Sequence, residues 1–398
     1  MPYADSLNSN NDGLMVENDI LQTIIKLILA IATLVGGWAA VDYFWKEHRR
    51  KIKPNPSPKP VADLEEPEGT VPLNSPFYVE RPPTESDCYK RIIRPAALIR
   101  VKAPRQMGKT SLMVRILDHA KGEGALTVPL YFQLADNVVF ENLDQFLQWF
   151  CSSVAGELGM ADELDRRWTG VLGAKGKCTN YFQKYLLAET EEPLVLGMDE
   201  VDLVFQYPEI AADFFGMLRA WHEKGKNEET WKRLRMIIVH SKEVYVPMDM
   251  KQSPFNVGLP IDLPELSLAQ TQDMAGRHGL QWAEEHAGLL RKMVGGHPYL
   301  LRVAMCSIAL GRMTLEELLK LAPTEQGPYS DHLRRHLLNL EEDEKLLAAM
   351  TQVLKGDTPV RIKSTEAFKL RNMGLVKYQG NEVTPLCDLY RKYFQARM

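Results

Sequence analysis

The sequence predicts an α/β fold in which a parallel sheet is covered by helices on both faces. Three observations predict it. A strand, a tight loop with a phosphate-binding pattern and a helix follow one another at residues 96–119. A fully apolar run, residues 193–198, ends in two adjacent carboxylates. Segments with strand character alternate with helical segments over residues 96–263, as expected for parallel strands joined by helical crossovers.

The first predicted strand, residues 96–102, leads directly into the phosphate-binding pattern. The loop follows G-x-x-x-x-G-K-[ST], except that Ala103 replaces the first glycine. Such a loop points backbone N–H groups at phosphates, and the following helix N-terminus adds positive potential. The sequence therefore predicts a P-loop that binds ATP. The candidate nucleotide-binding residues of the loop are Ala103, Pro104, Arg105, Gln106, Met107, Gly108, Lys109, Thr110 and Ser111.

Three residues of this loop have predicted individual roles. Gly108 lets the backbone approach the phosphates without an intervening side chain. Lys109 is expected to reach the β- and γ-phosphates, which makes it a catalytic candidate as well as a binding one. Thr110 is expected to place its hydroxyl on Mg²⁺.

The second half of the predicted site is the apolar strand at residues 193–198. Asp199 at its end is expected to hold Mg²⁺ through water, and Glu200 to accept a proton from the attacking water. Asp202 is expected to cap the next helix. The alternative is that the carboxylates belong to a surface turn. The order of loop and acidic strand favours the Mg²⁺–ATP interpretation.

Residues 235–241 are predicted to be another inner strand, with an apolar middle at 236–239 and polar residues at its end. Ser241 or Lys242 is expected to sense the γ-phosphate there, and Ser241 is the catalytic candidate. The alternative is that these polar groups have no function, because strands often end in polar residues.

The remaining strands and helices follow from hydrophobic periodicity. Strands are predicted at 126–132 and 256–263, and helices at 141–158, 177–190 and 208–223. After residue 266 the pattern is entirely helical and predicts a lid that closes over the nucleotide. The predicted lid helices are residues 268–277, 282–294, 298–310 and 314–321.

Residues 340–398 predict a different module. Two helices, 344–354 and 364–372, precede a short hairpin around Gln379 and Gly380, which indicates a winged helix. Residues 355–398 hold nine Lys or Arg against four Asp or Glu, a mild basic bias that is compatible with DNA. The alternative is a module that packs on the ATPase and transmits its state.

Five stretches together resemble a known family. They are residues 76–85, 103–112, 198–200, 240–243 and 295–300. Over roughly residues 72–395 the chain resembles the AAA-like ATPases frequent in cyanobacteria, a branch of the STAND-type signalling ATPases. The resemblance implies five sheet strands and a slow, regulatory hydrolysis of ATP to ADP and phosphate.

The resemblance also implies roles for four residues outside the loop. Tyr78 and Arg81 would lie near adenine, although Glu80 stands where the family has glycine before the arginine. His297 and Pro298 are similar to a lid element that contacts the nucleotide and reports its state. Pro298 also suits the first turn of a helix.

Length and composition limit the remaining possibilities. The 398 residues allow two to three domains, and the net charge of −4 gives the whole molecule no nucleic-acid signature. The five cysteines are scattered without paired spacing, so neither a zinc pattern nor a disulfide framework is predicted.

Residues 20–45 are predicted to be a single transmembrane helix, because they are mostly apolar and near the ~20 residues that a span needs. Residues 1–19 contain four carboxylates and no Lys or Arg, whereas residues 46–53 contain five basic residues. The positive-inside rule then places the N-terminus outside and the ATPase in the cytoplasm. The alternative is an amphipathic helix that binds a partner or lies on the bilayer surface.

The predicted organisation has six parts. They are an acidic tail (1–19), the transmembrane helix (20–45), a basic, Pro-rich linker (46–76), the ATPase core (77–265), the lid (266–339) and the winged-helix module (340–398). Three functional hypotheses follow. The first is a membrane-anchored ATP switch that self-associates or recruits an unknown protein partner. The second is a membrane-held ATPase whose winged helix binds DNA. The third is a nucleotide-binding scaffold without turnover.

Overall fold

The computed structural model of the protein describes residues 60–241 and 254–398. The predicted acidic tail, the transmembrane helix at 20–45 and most of the linker lie outside the described residues. Across the two described ranges, the structure contains no helix with both the length and the apolar character that crossing a bilayer requires.

A five-stranded sheet organises the first part of the chain. Its strands are β1 (Leu98–Lys102), β2 (Leu126–Tyr131), β3 (Leu194–Asp199), β4 (Leu234–His240) and β5 (Leu259–Asp262). Their order is β2-β3-β4-β1-β5, and every neighbouring pair runs parallel. The predicted α/β fold with a parallel five-stranded sheet is therefore confirmed. The carboxyl ends of β3, β4 and β1 meet at one edge.

The central strands β3 and β4 are mostly apolar because both of their faces are buried. Every residue of β3 and β4 is buried, which explains why both strands are almost continuously apolar. Gly197 in β3 has a specific packing role. A Cβ at this position would lie 2.9 Å from Leu117 Cδ1 and 3.1 Å from Met113 Sδ. Glycine thus allows the phosphate-loop helix to approach the sheet closely.

Helices cover both faces of the sheet. They are α1 (Thr84–Ile92), α2 (Lys109–Gly122), α3 (Leu143–Glu157), α4 (Leu164–Arg167), α5 (Ala174–Tyr181), α6 (Pro208–Lys224) and α7 (Glu229–Lys232). The predicted helix 177–190 is α5 followed by a π-helical turn, Phe182–Leu186. Helix α2 packs Leu112 and Ile116 on one face. On the other face, Phe150 of α3 meets Phe214 of α6 edge to face, 5.3 Å between centroids.

The second part of the chain is largely helical. Its helices are α8 (Leu268–Arg277), α9 (Glu284–Val294), α10 (Pro298–Ala309), α11 (Leu315–Leu321), α12 (Ser330–Glu341), α13 (Glu344–Leu354), α14 (Ser364–Asn372) and α15 (Asp388–Gln395). The lid helices and the C-terminal helices share one apolar core, in which Leu301 and Met305 join Met350 and Phe394. Helices α12 and α15 were not predicted from the sequence.

The C-terminal module, residues 340–398, also contains an antiparallel hairpin of β6 (Val376–Gln379) and β7 (Glu382–Pro385). Val360 forms an additional antiparallel bridge to Val383 of β7. Helices α13 and α14 and the hairpin lie where the sequence predicted them. The winged-helix interpretation and the domain boundaries stay predictions.

Residues 60–78, here called the strap, join the lid to the core. Near the start of the strap, the Val61 N–H donates to the Arg277 carbonyl at the end of α8, 3.1 Å away. The carboxylate of Glu66 pairs with Arg312 at 2.6 Å. Farther along, the Val71 N–H donates to Ser111 Oγ at 2.9 Å, in the first turn of α2.

Candidate nucleotide-binding site

The loop between β1 and α2 has the backbone of a phosphate-binding cradle. Gly108 lies in the left-handed region, with φ of 89°. A Cβ there would meet Arg81 Nη2 at 3.4 Å, so both the conformation and the space favour glycine. Gln106 also has positive φ, 61°. Ala103, at the position where the pattern has its first glycine, is buried and does not have a positive φ.

Lys109 is the first residue of α2, and only 7% of its surface is exposed. Its Nζ donates to the Pro104 carbonyl at 2.9 Å. Burial lowers the pKa of Lys109 to about 8, and the carboxylates of Asp202, Asp199 and Glu200 oppose this fall. The loop therefore holds a poorly solvated cation whose charge is balanced by neighbouring acids.

Thr110 and Asp199 come together at the predicted metal position. Thr110 Oγ1 donates to Asp199 Oδ2 at 2.6 Å, and the Glu200 N–H donates to Asp199 Oδ1 at 3.0 Å. Burial raises the pKa of Asp199, whereas the Thr110 hydrogen bond and the Lys109 charge oppose the rise. A hydroxyl beside a carboxylate provides the hard oxygen ligands that Mg²⁺ prefers, so the residues present fit Mg²⁺–ATP.

Glu200 follows β3 with φ of 58°. Non-glycine residues rarely adopt this backbone region, and such outliers cluster at functional sites. Burial raises the pKa of Glu200, and the nearby carboxylates of Asp199 and Asp202 raise it further. A carboxylate with a raised pKa is a stronger base, which suits the predicted proton acceptance.

Ser241 follows β4 and is buried between the ends of β3 and β1. Its N–H donates to Asp202 Oδ1 at 3.0 Å. The prediction that Asp202 caps the next helix was wrong. Asp202 lies inside a 3-10 helix, Val201–Gln206, and its carboxylate accepts the Ser241 N–H instead. Lys242, the other candidate sensor, lies outside the described residues.

The segment that resembles the adenine-side element also reaches the loop. Arg81 Nη1 donates to the Met107 carbonyl at 2.9 Å. Glu85 connects this arginine to Tyr78, because it accepts the Arg81 N–H and the Tyr78 hydroxyl, both at 2.8 Å. The Arg115 guanidinium of α2 stacks 3.6 Å from the Tyr78 ring centroid. The contact with adenine itself stays a prediction.

His297 brings the lid onto the loop. Its Nε2–H donates to the Arg105 carbonyl at 3.2 Å, and only 3% of its surface is exposed. Burial lowers the pKa of His297 to about 4, so the ring is neutral at pH 7. Pro298 begins α10 at its first position, as the helix-start interpretation predicted.

Sequence reasoning missed a second lid histidine. His332 Nδ1–H donates to Gln106 Oε1 at 3.0 Å, and His332 Nε2 accepts the Tyr390 hydroxyl at 2.9 Å. The ring of His336, one turn later, packs 4.7 Å from that of His332. The only sequence signal was the i,i+4 spacing of the two histidines within a stretch for which no helix was predicted.

Comparison with known proteins identifies the family. A family model described as an AAA-like domain matches residues 66–396. The chain belongs to the AAA-like domain family. This confirms the resemblance drawn from the sequence motifs, and the five-stranded sheet with its phosphate loop makes this AAA-like protein a P-loop ATPase in fold.

Relatives of this AAA-like protein differ in length and architecture. An uncharacterized WD repeat-containing protein of Synechocystis is 23% identical over 326 residues, which cover 74% of this chain and 27% of that protein. The AAA-like chain thus spans about a quarter of the length of this relative. The structure of a Walker-type ATPase of Pyrococcus abyssi is 12% identical with a TM-score of 0.57, covering 80% of this chain and 96% of that one. This likeness shows a common fold.

Proposed function

We propose that this AAA-like protein is an ATP-binding and ATP-hydrolysing molecular switch that residues 20–45 anchor to a membrane. One observation carries the switch. The phosphate loop, the lid and the C-terminal module are joined by consecutive hydrogen bonds, from Gln106 to His332 to Tyr390. A change in the conformation of the phosphate loop would therefore alter hydrogen bonds in both the lid and the C-terminal module.

The site has residues for each task of ATP hydrolysis. Lys109 would bind the β- and γ-phosphates, and Thr110 with Asp199 would hold Mg²⁺, which neutralises charge on the triphosphate. Glu200 is the base for the attacking water, and its raised pKa supports that role. Ser241, at the adjoining strand end, would sense whether the γ-phosphate is present.

The position of the proton on His332 fixes the donor and the acceptor in each of these two hydrogen bonds. Its Nδ1 must carry the proton, because Gln106 Oε1 only accepts, and its Nε2 therefore accepts from Tyr390. If Gln106 moves when phosphates enter the loop, His332 loses a partner while remaining buried. Leaving a buried polar group unpaired costs about 1–3 kcal/mol, which is enough to shift a two-state equilibrium substantially.

Direct packing supports the same connection. A Cβ at Gly374, just after α14, would lie 2.9 Å from Pro104 Cβ in the loop. The Phe368 ring of α14 lies 5.7 Å from Lys102 Nζ at the end of β1. Helix α14 therefore faces the ATPase core, and this placement favours a module that reports nucleotide state over the alternative of one that reads DNA.

Hydrogen–deuterium exchange would test the switch. In the wild type, ATP and ADP are expected to give different exchange rates in α12 and α15. In His332→Phe, ATP affinity should be retained, but the difference at residues 388–395 should disappear. His286→Phe replaces an exposed histidine of α9 and should behave as wild type. An unchanged difference in His332→Phe would refute this route.

The membrane, oligomer and DNA proposals have separate tests. Vesicle flotation of the full chain should depend on residues 20–45. Size measurement with ATP, with ADP and without nucleotide should reveal ATP-dependent assembly if the switch acts by self-association. Salt-sensitive binding to duplex DNA would instead support the DNA-binding ATPase.

A further inference from the structure

A cavity lies at the amino end of the sheet, at the edge opposite the phosphate loop. Its volume is about 430 Å³, within the usual size range of small-molecule sites. The lining residues precede or begin the three inner strands β1, β3 and β4. They are Pro95, Pro193, Glu229, Thr230, Lys232, Arg233 and Arg235.

Arg235, the second residue of β4, is the unusual member of this lining. Only 9% of its surface is exposed, and its Nε is buried without a hydrogen-bond partner. Within residues 60–241 and 254–398, no ion pair or hydrogen bond involves its guanidinium. Burial lowers the pKa of Arg235, and no neighbouring acid opposes this effect. A buried cation without a partner destabilises a fold unless something else compensates its charge.

The other charged lining residues do not supply that compensation. Arg233 donates to the carbonyls of Thr190 and Leu187, and these neutral acceptors leave its charge unneutralised. The one carboxylate of the lining, Glu229, already pairs with Lys232. The lining thus holds three cations and one anion, in a chain whose net charge is −4.

The fold itself does not require arginine at this position. On the same face of β4, Ile237 and Val239 pack into the apolar core, and Arg235 aligns with Val195 of β3. An apolar side chain would continue this pattern without the cost of burying a charge. The guanidinium therefore indicates a ligand with the opposite charge.

We propose that this cavity binds the phosphate group of a small phosphorylated molecule or of a lipid headgroup. Arg235 would engage the phosphate oxygens through its fixed fork of N–H donors, which matches phosphate in bidentate geometry. Thr230 offers a hydroxyl, and Pro95 and Pro193 form rigid apolar walls. The cavity is larger than a lone phosphate needs, so part of the attached molecule fits beside it. This site is independent of the proposed ATP switch.

The test uses the full chain saturated with Mg²⁺–ADP, so that the phosphate loop is occupied. Glycerol phosphate is titrated by calorimetry, with sodium chloride at equal ionic strength as the reference. Arg235→Gln should weaken binding at least about tenfold, the loss expected for a charge-assisted hydrogen bond. Arg235→Lys should restore part of it. Arg166→Gln, which changes an exposed arginine of α4, should bind as the wild type does.

The second arm distinguishes the two sources of phosphate. Vesicles of phosphatidylcholine with and without phosphatidic acid are compared by flotation for wild type and Arg235→Gln. A preference for phosphatidic acid that Arg235→Gln loses assigns the site to a headgroup. Binding of glycerol phosphate alone assigns it to a soluble ligand. If wild type and Arg235→Gln behave alike in both arms while Mg²⁺–ADP binding shows both folded, the proposal is overturned.

Discussion

The two ends of the same sheet each bury a cation, but only one end provides acids to balance it. At the carboxyl end, Lys109 lies among Asp199, Glu200 and Asp202 and donates to a loop carbonyl. At the amino end, no carboxylate of the described residues pairs with Arg235. Both are buried to a similar extent, with 7% and 9% of their surfaces exposed.

The presence or absence of neighbouring acids distinguishes two kinds of anion-binding site. Without ligand, the charge of Lys109 is balanced by the neighbouring carboxylates. When Mg²⁺–ATP binds, phosphate can take their place beside Lys109, and Mg²⁺ can take the place of Lys109 beside the carboxylates. Arg235 is left without a paired acid, so an anion that reaches it has no bound carboxylate to displace. Removing each cation should therefore have opposite effects on the stability of the free protein. The predictions that follow go from the largest expected effect to the smallest.

Glu200→Gln should give the largest change at the carboxyl end. Removing a general base lowers turnover by about 10²- to 10⁴-fold, while ATP affinity stays near that of the wild type because Lys109 and Thr110 remain. Phosphate release under saturating ATP measures this. The matched control, Glu229→Gln, changes a carboxylate at the amino end and should leave turnover intact. Equal rates for Glu200→Gln and wild type would remove the role of Glu200.

Lys109→Ala should weaken ATP binding at least about 100-fold. The variant removes the cation that faces the phosphates and leaves three carboxylates unbalanced, a loss of roughly 2–5 kcal/mol for such buried charge contacts. Fluorescent-nucleotide titration is the measurement. Lys121→Ala, on the exposed end of the same helix, serves as the control. Retained affinity in Lys109→Ala would refute the assignment of the site.

Stability should fall as the pH drops from 7 to 5, and His297 should account for one part of the change, because burial also lowers the pKa values of His278, His332 and His336. Its pKa is about 4 in the folded protein but near 6.5 in an unfolded chain. The stability from the neutral ring is complete above pH 6.5 and is lost as the pH falls towards 4. The loss at pH 5 is about 2 kcal/mol. His222, near the amino end, adds a loss of the same sign because its pKa is also lowered by burial.

Urea unfolding at the two pH values checks this. The difference between pH 7 and pH 5 should shrink by about 2 kcal/mol in His297→Leu, whatever its absolute stability. Exposed His286, replaced in the same way, should leave the difference unchanged. A pH dependence equal to that of the wild type in His297→Leu would contradict the burial of its neutral form.

The smallest predicted effect is on the free energy of unfolding when Arg235 or Lys109 is replaced by an apolar residue. Without ligands, Arg235→Met should raise the free energy of unfolding by about 1 kcal/mol, because an unbalanced buried charge is replaced by an apolar side chain. Lys109→Met should lower it, because Asp199, Glu200 and Asp202 then repel one another. Urea unfolding at pH 7.5 compares the two variants. If both substitutions change the free energy of unfolding in the same direction, the two ends of the sheet do not differ in how they balance the buried cation.

Much of the core was predictable because its signals are local. The mostly apolar sequences of β3 and β4 indicate inner strands, and the loop before Lys109 indicates a phosphate site from spacing alone. Asp199 and Thr110 could be paired because parallel strands end at the same edge. These inferences need only periodicity, loop chemistry and the rule for parallel sheets.

The contacts between the core and the lid could not be predicted in this way. His332 and Gln106 are 226 residues apart in sequence, and no periodicity relates them. The role of Asp202 was missed because its partner, the Ser241 N–H, belongs to the next strand. Arg235 was included in a predicted apolar strand, and only the cavity beside it shows that its charge is unbalanced.

The strap limits how the lid can move. Along its length it is bonded to Arg277 and Arg312 of the lid region, then to Ser111 and Arg115 of the phosphate-loop helix, and at its end again to Arg277, which donates to the Pro76 and Tyr78 carbonyls. The lid region thus holds both ends of the strap, and the phosphate-loop helix holds its middle. An outward movement of the lid would have to break these bonds or displace α2. The strap therefore couples the position of the lid to the helix that begins at Lys109.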